Sequence, residues 1–69
     1  MNEKEILDLA FAAFENGTDC KIKLPPANEI HAFNMAVNSL IKSGYIEIYE
    51  RSLTNMVFGL TETGLELYM

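Results

Sequence analysis

The sequence predicts a single α+β domain whose elements follow the order helix, strand, helix, strand, strand and short helix. Two segments carry apolar residues at helical spacing, and three shorter segments alternate apolar and polar residues as half-buried strands do. The chain has 69 residues, so one domain spanning residues 1–69 is expected. Hydrophobic residues make up 49% of the chain, which favours a packed core over a disordered chain.

The first helix is predicted from Asn2 to Asn16. Asn2 is a favourable N-cap residue, and Glu5 stands three positions later, at the spacing of a capping box. Asn16-Gly17 supplies a left-handed residue that ends the helix. The predicted buried face comprises Ile6, Leu7, Ala10, Phe11, Ala13 and Phe14.

A half-buried strand is predicted from Cys20 to Leu24, with Lys21 and Lys23 facing away from the core. Pro25-Pro26 ends it, because a proline cannot donate to a strand ladder. The strand is short enough to be an edge strand, where outward lysines hinder unwanted pairing.

The second helix is predicted to begin at Pro26 or Asn28 and to end at Ser43, before Gly44. A proline is tolerated in the first turn, and a glycine suits the position just past the last turn. The predicted buried face comprises Ile30, Phe33, Ala36, Val37, Leu40 and Ile41.

The rest of the chain predicts a hairpin and a last turn of helix. Tyr45 to Glu50 alternates with Ile46 and Ile48 inward, and Arg51 to Asn55 is a polar connection. The second strand carries Met56, Phe58 and Leu60 on one side. Thr61 is the predicted cap of a short helix, whose core contacts would be Leu65 and either Leu67 or Tyr68.

Charge and composition exclude several classes of function. Ten acidic residues against five basic ones give a net charge of −5, which argues against a polybasic nucleic-acid clamp and a peripheral membrane binder. Cys20 and His31 stand alone and lie on different predicted elements, so we predict no disulfide, no metal site, no cofactor and no Cys–His nucleophile. No phosphate-binding or dinucleotide-binding fingerprint is present, and we predict that the protein is not an enzyme.

The predicted location is cytoplasmic. The longest apolar run, Leu9 to Phe14, has six residues, far fewer than a membrane span requires. The acidic beginning of the sequence also lacks the basic start of a signal peptide.

Two stretches resemble a known family. Phe33 to Leu40 followed by Gly44-Tyr45-Ile46 resembles a winged-helix recognition helix entering its hairpin. Leu60-Thr61-Glu62-Thr63-Gly64 resembles the exit from the wing into a C-terminal helix. The resemblance covers residues 33–68 and is closest to small winged-helix proteins of Gram-positive bacteria and their phages, the YjcQ-like type.

The resemblance implies a winged-helix-like fold and a function in DNA binding or transcription regulation, of phage or mobile-element origin. In family terms, the helix from Asn28 to Ser43 corresponds to the recognition helix and Arg51 to Asn55 to the wing tip. A full winged helix has two helices between its first and second strands, whereas only about 20 residues separate Leu24 from Tyr45. The helix-turn-helix is therefore predicted to be truncated.

The candidate contact residues lie on the outward face of the second helix and on the wing. Asparagine can pair with adenine and lysine with guanine or phosphate in double-stranded DNA, although five cations in total predict weak binding. At 100° per residue, one outward stripe of the helix collects five of these residues, and the wing adds two. The full set is His31, Asn34, Met35, Asn38, Lys42, Arg51 and Asn55.

The same face has two other interpretations, a protein-interaction surface and an ordinary solvated helix face. An outward methionine suits contact with a protein partner, to which Tyr45, Tyr49 and Val57 would add apolar surface. A homodimer is compatible with either function. A positive stripe formed by Lys21, Lys23, Lys42 and Arg51 would favour DNA, whereas scattered cations would favour protein, and we expect scattering.

Overall fold

The computed structural model describes all 69 residues, and they form three helices and a three-stranded antiparallel sheet. The α+β class and the predicted order of the six elements are confirmed. One helix connects the first strand to the second, in agreement with the short spacing between them. The elements are α1 (Glu3–Glu15), β1 (Cys20–Lys23), α2 (Ala27–Lys42), β2 (Ile46–Arg51), β3 (Asn55–Leu60) and α3 (Glu62–Glu66).

Helix α1 begins with the predicted capping box. The backbone N–H of Glu5 donates to Asn2 Oδ1 at 2.9 Å, and the backbone N–H of Asn2 donates to Glu5 Oε1 at 3.2 Å. Ile6 and Ala10 are buried as predicted, but Phe14 is 49% exposed, so its predicted burial is wrong. At about 100° per residue, Phe14 points about 80° around the helix from Ile6 and about 40° beyond Ala10, outside the buried stripe.

Helix α2 begins just after Pro26 and buries Phe33, Val37 and Leu40. Ile41 is 42% exposed, so its predicted burial is wrong. It follows Phe33 by eight residues and lies about 80° away from it around the helix.

The sheet has the strand order β1-β3-β2, and helices α1 and α2 pack on one of its faces. That arrangement leaves the other face of the sheet open, with Lys21 and Lys23 exposed on it. Leu7, Ile22, Leu24 and Leu60 pack around the edge of the core. The core itself consists of Ile6, Ala10, Cys20, Phe33, Val37, Leu40, Ile46, Met56 and Phe58.

A β-bulge at Tyr49 interrupts the alternation of β2. Ile48 pairs with Phe58 and Glu50 with Val57, so Tyr49 is an extra residue opposite β3. The bulge reverses the alternation after it and turns Arg51, the partner of Met56, toward the helices. The connection between β2 and β3 is shorter than the predicted one from Arg51 to Asn55. Arg51 and Asn55 themselves belong to the two strands.

Helix α3 is held against the turn between α2 and β2. Thr61 Oγ1 accepts from the backbone N–H of Gly64 at 3.0 Å, as the predicted cap requires, and it donates to the carbonyl oxygen of Gly44. Gly64 is buried, and a Cβ there would overlap the carbonyl oxygen of Tyr45 and lie 2.7 Å from Leu60 Cδ1.

The end of the chain returns to α1. The ring of Tyr68 stacks on Phe11 with the ring centroids 4.3 Å apart, and its hydroxyl donates to Asp8 Oδ1 at 2.8 Å. Of the two predicted candidates, Tyr68 is therefore the one that packs on α1, whereas Leu67 is half exposed.

Candidate functional site

The outward stripe of α2 presents mostly exposed side chains. Met35 is 61% exposed. His31, Asn38 and Lys42 are exposed as well, whereas Asn34 is half-buried. The only ion pair in the protein joins Lys4 to Asp8, so Lys42 has no carboxylate within 4 Å. We call these five residues of the stripe, His31, Asn34, Met35, Asn38 and Lys42, the α2 face.

The structure joins the α2 face to the hairpin at one point. Arg51 Nη2 donates to Asn34 Oδ1 at 2.6 Å. This contact depends on the bulge at Tyr49, because regular alternation would turn Arg51 to the open face of the sheet. Two of the seven predicted contact residues, Asn34 and Arg51, are therefore hydrogen-bonded to each other.

Asn55 is separated from the rest of the predicted set. It pairs with Lys23, whereas its neighbour Met56 faces the core, so Asn55 belongs to the open face of the sheet. Its side-chain amide donates to Thr54 Oγ1 at 2.9 Å. Asn55 therefore does not share a face with Arg51, since successive residues of a strand point to opposite faces, and its role as a contact residue stays a prediction.

The cations are scattered over the molecule. Lys21 and Lys23 lie on the open face of the sheet, and Lys42 lies in the last turn of α2. Arg51 contacts Asn34, and Lys4 Nζ lies 2.8 Å from Asp8 Oδ2. No positive stripe forms along the α2 face.

Met35 lines an apolar groove between the beginning of α1 and the middle of α2. The volume of this groove is about 510 Å³. Ser39 Oγ donates to Glu3 Oε1 at 3.0 Å and so ties the two helices together along it. We call it the α1–α2 groove, and it is lined by Met1, Asn2, Glu3, Ala32, Met35, Ala36 and Ser39.

Met1 also lines a neighbouring cleft of about 340 Å³ with Glu5, Asp8 and Leu9. Hydrogen bonds from Lys4 and from the hydroxyl of Tyr68 hold the pKa of Asp8 below its usual range. Burial and the hydrogen bond to Asp8 raise the pKa of Tyr68 to about 12. These contacts fix Asp8 at the edge of the cleft as a carboxylate.

A second exposed apolar site lies at the tip of the hairpin. Leu53 is 98% exposed and stands beside a cleft of about 400 Å³ whose lining includes Leu24, Pro25 and Ile30. Sequence reasoning missed Leu53, although an apolar residue inside a polar connection was a visible signal. No pattern of neighbouring residues predicts the α1–α2 groove, because the groove forms only when α1 packs beside α2.

The tyrosines of the hairpin separate in the structure. Tyr45 packs against the core, so its predicted contribution to an outer apolar surface is wrong. Tyr49 covers Gly59 on the open face of the sheet, and its hydroxyl donates to Glu47 Oε1 at 2.8 Å. That hydrogen bond raises the pKa of Tyr49. Val57 is half-buried beside it.

The protein contains no group of three or more His, Cys, Asp and Glu side chains placed to hold a metal ion. Cys20 is buried, and its burial raises the pKa of the thiol. His31 lies on the exposed face of α2, on another element. The α2 face carries one thioether, two amides, an imidazole and one ammonium group.

Comparison with known proteins identifies no relative. No protein family, curated protein or solved structure gives a significant match to the chain. No helix is both long enough and apolar enough to cross a bilayer.

Proposed function

We propose that the protein is a non-enzymatic protein-interaction module that binds its partner through the α2 face. The observation that carries this proposal is the position of Met35, which is 61% exposed and lines the α1–α2 groove. Burying a methionine side chain in an interface removes apolar surface from water, an effect of about 1.5–3 kcal/mol for a full side chain. Methionine also adapts to partners of irregular shape because its thioether chain is flexible.

The distribution of charge supports a protein partner over double-stranded DNA. Affinity for DNA comes largely from cations that neutralise phosphates. On and beside the α2 face, only Lys42 and Arg51 carry a fixed positive charge. Lys21 and Lys23 lie on the opposite face of the sheet. A protein of net charge −5 is repelled by DNA at long range and attracted by a basic protein.

DNA binding is the second candidate, and the contact between Arg51 and Asn34 favours it. That hydrogen bond fixes a guanidinium group beside the helix that would enter the major groove in a winged-helix-like protein. In that function Asn38 and Lys42 would contact bases or phosphate. A regulator of this kind, of phage or mobile-element origin, would bind DNA weakly as a monomer.

Affinity capture from an extract of the native host tests the first proposal. The bait is the wild-type protein, with Met35→Asp and Lys42→Ala as variants; both changes are at exposed positions and should leave the fold intact. We expect a discrete protein that is retained by the wild type and Lys42→Ala and lost with Met35→Asp. Retention by Met35→Asp would overturn the proposal.

Titration of a fluorescent mixed-sequence duplex at low salt tests the second candidate. DNA binding through Lys42 and Arg51 predicts a slope of log affinity against log salt of about −1.8, or −0.9 for each phosphate neutralised. Lys42→Ala should reduce that slope by about half. No binding at low salt would refute this candidate.

A further inference from the structure

We propose that the α1–α2 groove receives a basic amphipathic helix that inserts one large apolar side chain beside Met35. This inference rests on the proposed function and names the chemistry of its partner.

The groove has the size and the walls for a helix-borne side chain. At about 510 Å³ it lies within the range of sites that accept an apolar group. Ala32 and Ala36 have short side chains, so a partner helix can approach α2 closely between Met35 and the start of α1. Helices that bind in grooves place apolar anchors three or four residues apart, and Leu9 in the neighbouring cleft provides a second apolar contact.

The ionisable side chains that line the groove and the neighbouring cleft are all acidic. They are Glu3 in the groove and Glu5 and Asp8 in the cleft. Lys4 pairs with Asp8, whereas neither Glu3 nor Glu5 lies within 4 Å of a lysine, an arginine or the α-amino group of Met1. Lys42 follows Met35 by seven residues and therefore lies about 10 Å further along α2.

The hydrogen bonds that these two carboxylates accept do not cancel their charge. Glu3 accepts from the hydroxyl of Ser39, and Glu5 accepts from the backbone N–H of Asn2. Both donors are neutral, so the groove keeps a negative edge. Lysine or arginine residues on both sides of an apolar anchor complement that edge, whereas an acidic helix would be repelled.

A synthetic 16-residue peptide tests this pairing. The probe contains only leucine and lysine in a helical amphipathic order and carries fluorescein. One control peptide has the same composition in strict alternation, which favours a strand, and another has glutamate in place of lysine. Binding to the whole protein is followed by fluorescence anisotropy at low and at high salt.

We expect micromolar binding of the helical leucine–lysine peptide and little binding of either control. Met35→Asp should weaken it by about tenfold, the size of a modest hot spot. That substitution adds a negative charge, so purely electrostatic attraction would bind the peptide more tightly. Ala32→Arg, which fills the groove and offsets its negative charge, should weaken binding as well.

Matched variants separate the groove from other acidic or apolar surfaces. The double variant Glu3→Gln/Glu5→Gln keeps both hydrogen bonds and should weaken binding several-fold at low salt but little at high salt. Leu53→Asp should leave binding close to that of the wild type. Loss of binding with Leu53→Asp alone would move the site to the hairpin and overturn the inference.

Other outcomes would also refute the inference. Equal binding of the glutamate peptide, or wild-type affinity for Met35→Asp, would refute a basic helix in the groove. Concentration-dependent dimerisation of the wild type that is lost with Met35→Asp would identify a second copy as the occupant instead. If the leucine–lysine peptide does not bind, this inference fails, while the proposed function fails only if Met35→Asp still captures the native partner.

Discussion

Replacing Gly64 with alanine tests the close packing of α3 on the turn between α2 and β2. The new Cβ would overlap the carbonyl oxygen of Tyr45 and lie 3.0 Å from its carbonyl carbon and 2.7 Å from Leu60 Cδ1. Overpacking costs about 1–3 kcal/mol, and the upper end applies because a backbone carbonyl cannot rotate aside. Alanine recovers about 1 kcal/mol, since it is the better residue within a helix. The expected net loss of stability is about 2 kcal/mol.

That loss is large for a domain of this size. At about 0.05–0.15 kcal/mol per residue, the whole fold is stable by about 3–10 kcal/mol. Thermal unfolding followed by circular dichroism should show Tm lowered by about 8–16 °C for Gly64→Ala. Thr63→Ala, an exposed change in the same helix, should stay within about 0.5 kcal/mol of the wild type. A Tm for Gly64→Ala equal to that of the wild type or higher would refute the close approach of α3 to Tyr45.

Three further predictions concern other contacts of the fold. Asn2→Ala removes the capping box and should cost about 1 kcal/mol in urea unfolding, whereas an unchanged midpoint would mean that the cap contributes nothing. A double-mutant cycle of Asn34→Ala and Arg51→Ala should give a coupling energy of about 0.5–1.5 kcal/mol, and additive effects would show that their hydrogen bond is absent in solution. The raised pKa of Tyr68, about 12, means that its hydroxyl stabilises the fold fully below pH 10 and progressively less as the pH rises toward 12. Tyr68→Phe should therefore remove part of the pH dependence of Tm in that range, and Asp8 should titrate at a higher pH in this variant, as NMR can measure.

The sequence was informative wherever local chemistry determined the structure. The cap at Asn2, the glycine that ends α2 and the alternation of β1 each depend on a few neighbouring residues, and all are present in the structure. The motif from Leu60 to Gly64 is explained in the same way, because Thr61 caps α3 and Gly64 permits its close packing. These motif residues therefore act in the scaffold rather than in the α2 face.

The features that the sequence did not predict depend on contacts between distant parts of the chain. A single strand pattern contains no sign of the bulge at Tyr49, which appears only when β2 is paired with β3 and which turns Arg51 toward Asn34. Helical periodicity identified an apolar side of each helix but not the width of the buried stripe, so Phe14 and Ile41 were wrongly placed in the core. The groove beside Met35 likewise exists only because the beginning of α1 reaches the middle of α2.

The difference between the two candidate functions rests on which side chains a partner touches. A protein partner would bury Met35, whereas DNA would draw mainly on Lys42 and Arg51. The four methionines provide suitable probes, because Met1 and Met35 line the groove while Met56 is fully buried and Met69 is almost fully exposed.

Methionine-methyl NMR of the protein in complex with the captured partner is the most direct test of the proposed interaction surface. We predict that the methyl signals of Met35 and Met1 shift strongly, that those of Met56 and Met69 stay close to their free positions, and that mixed-sequence duplex DNA causes no comparable change. An unchanged Met35 signal in the partner complex, or a shift of Met35 with DNA alone, would contradict the account.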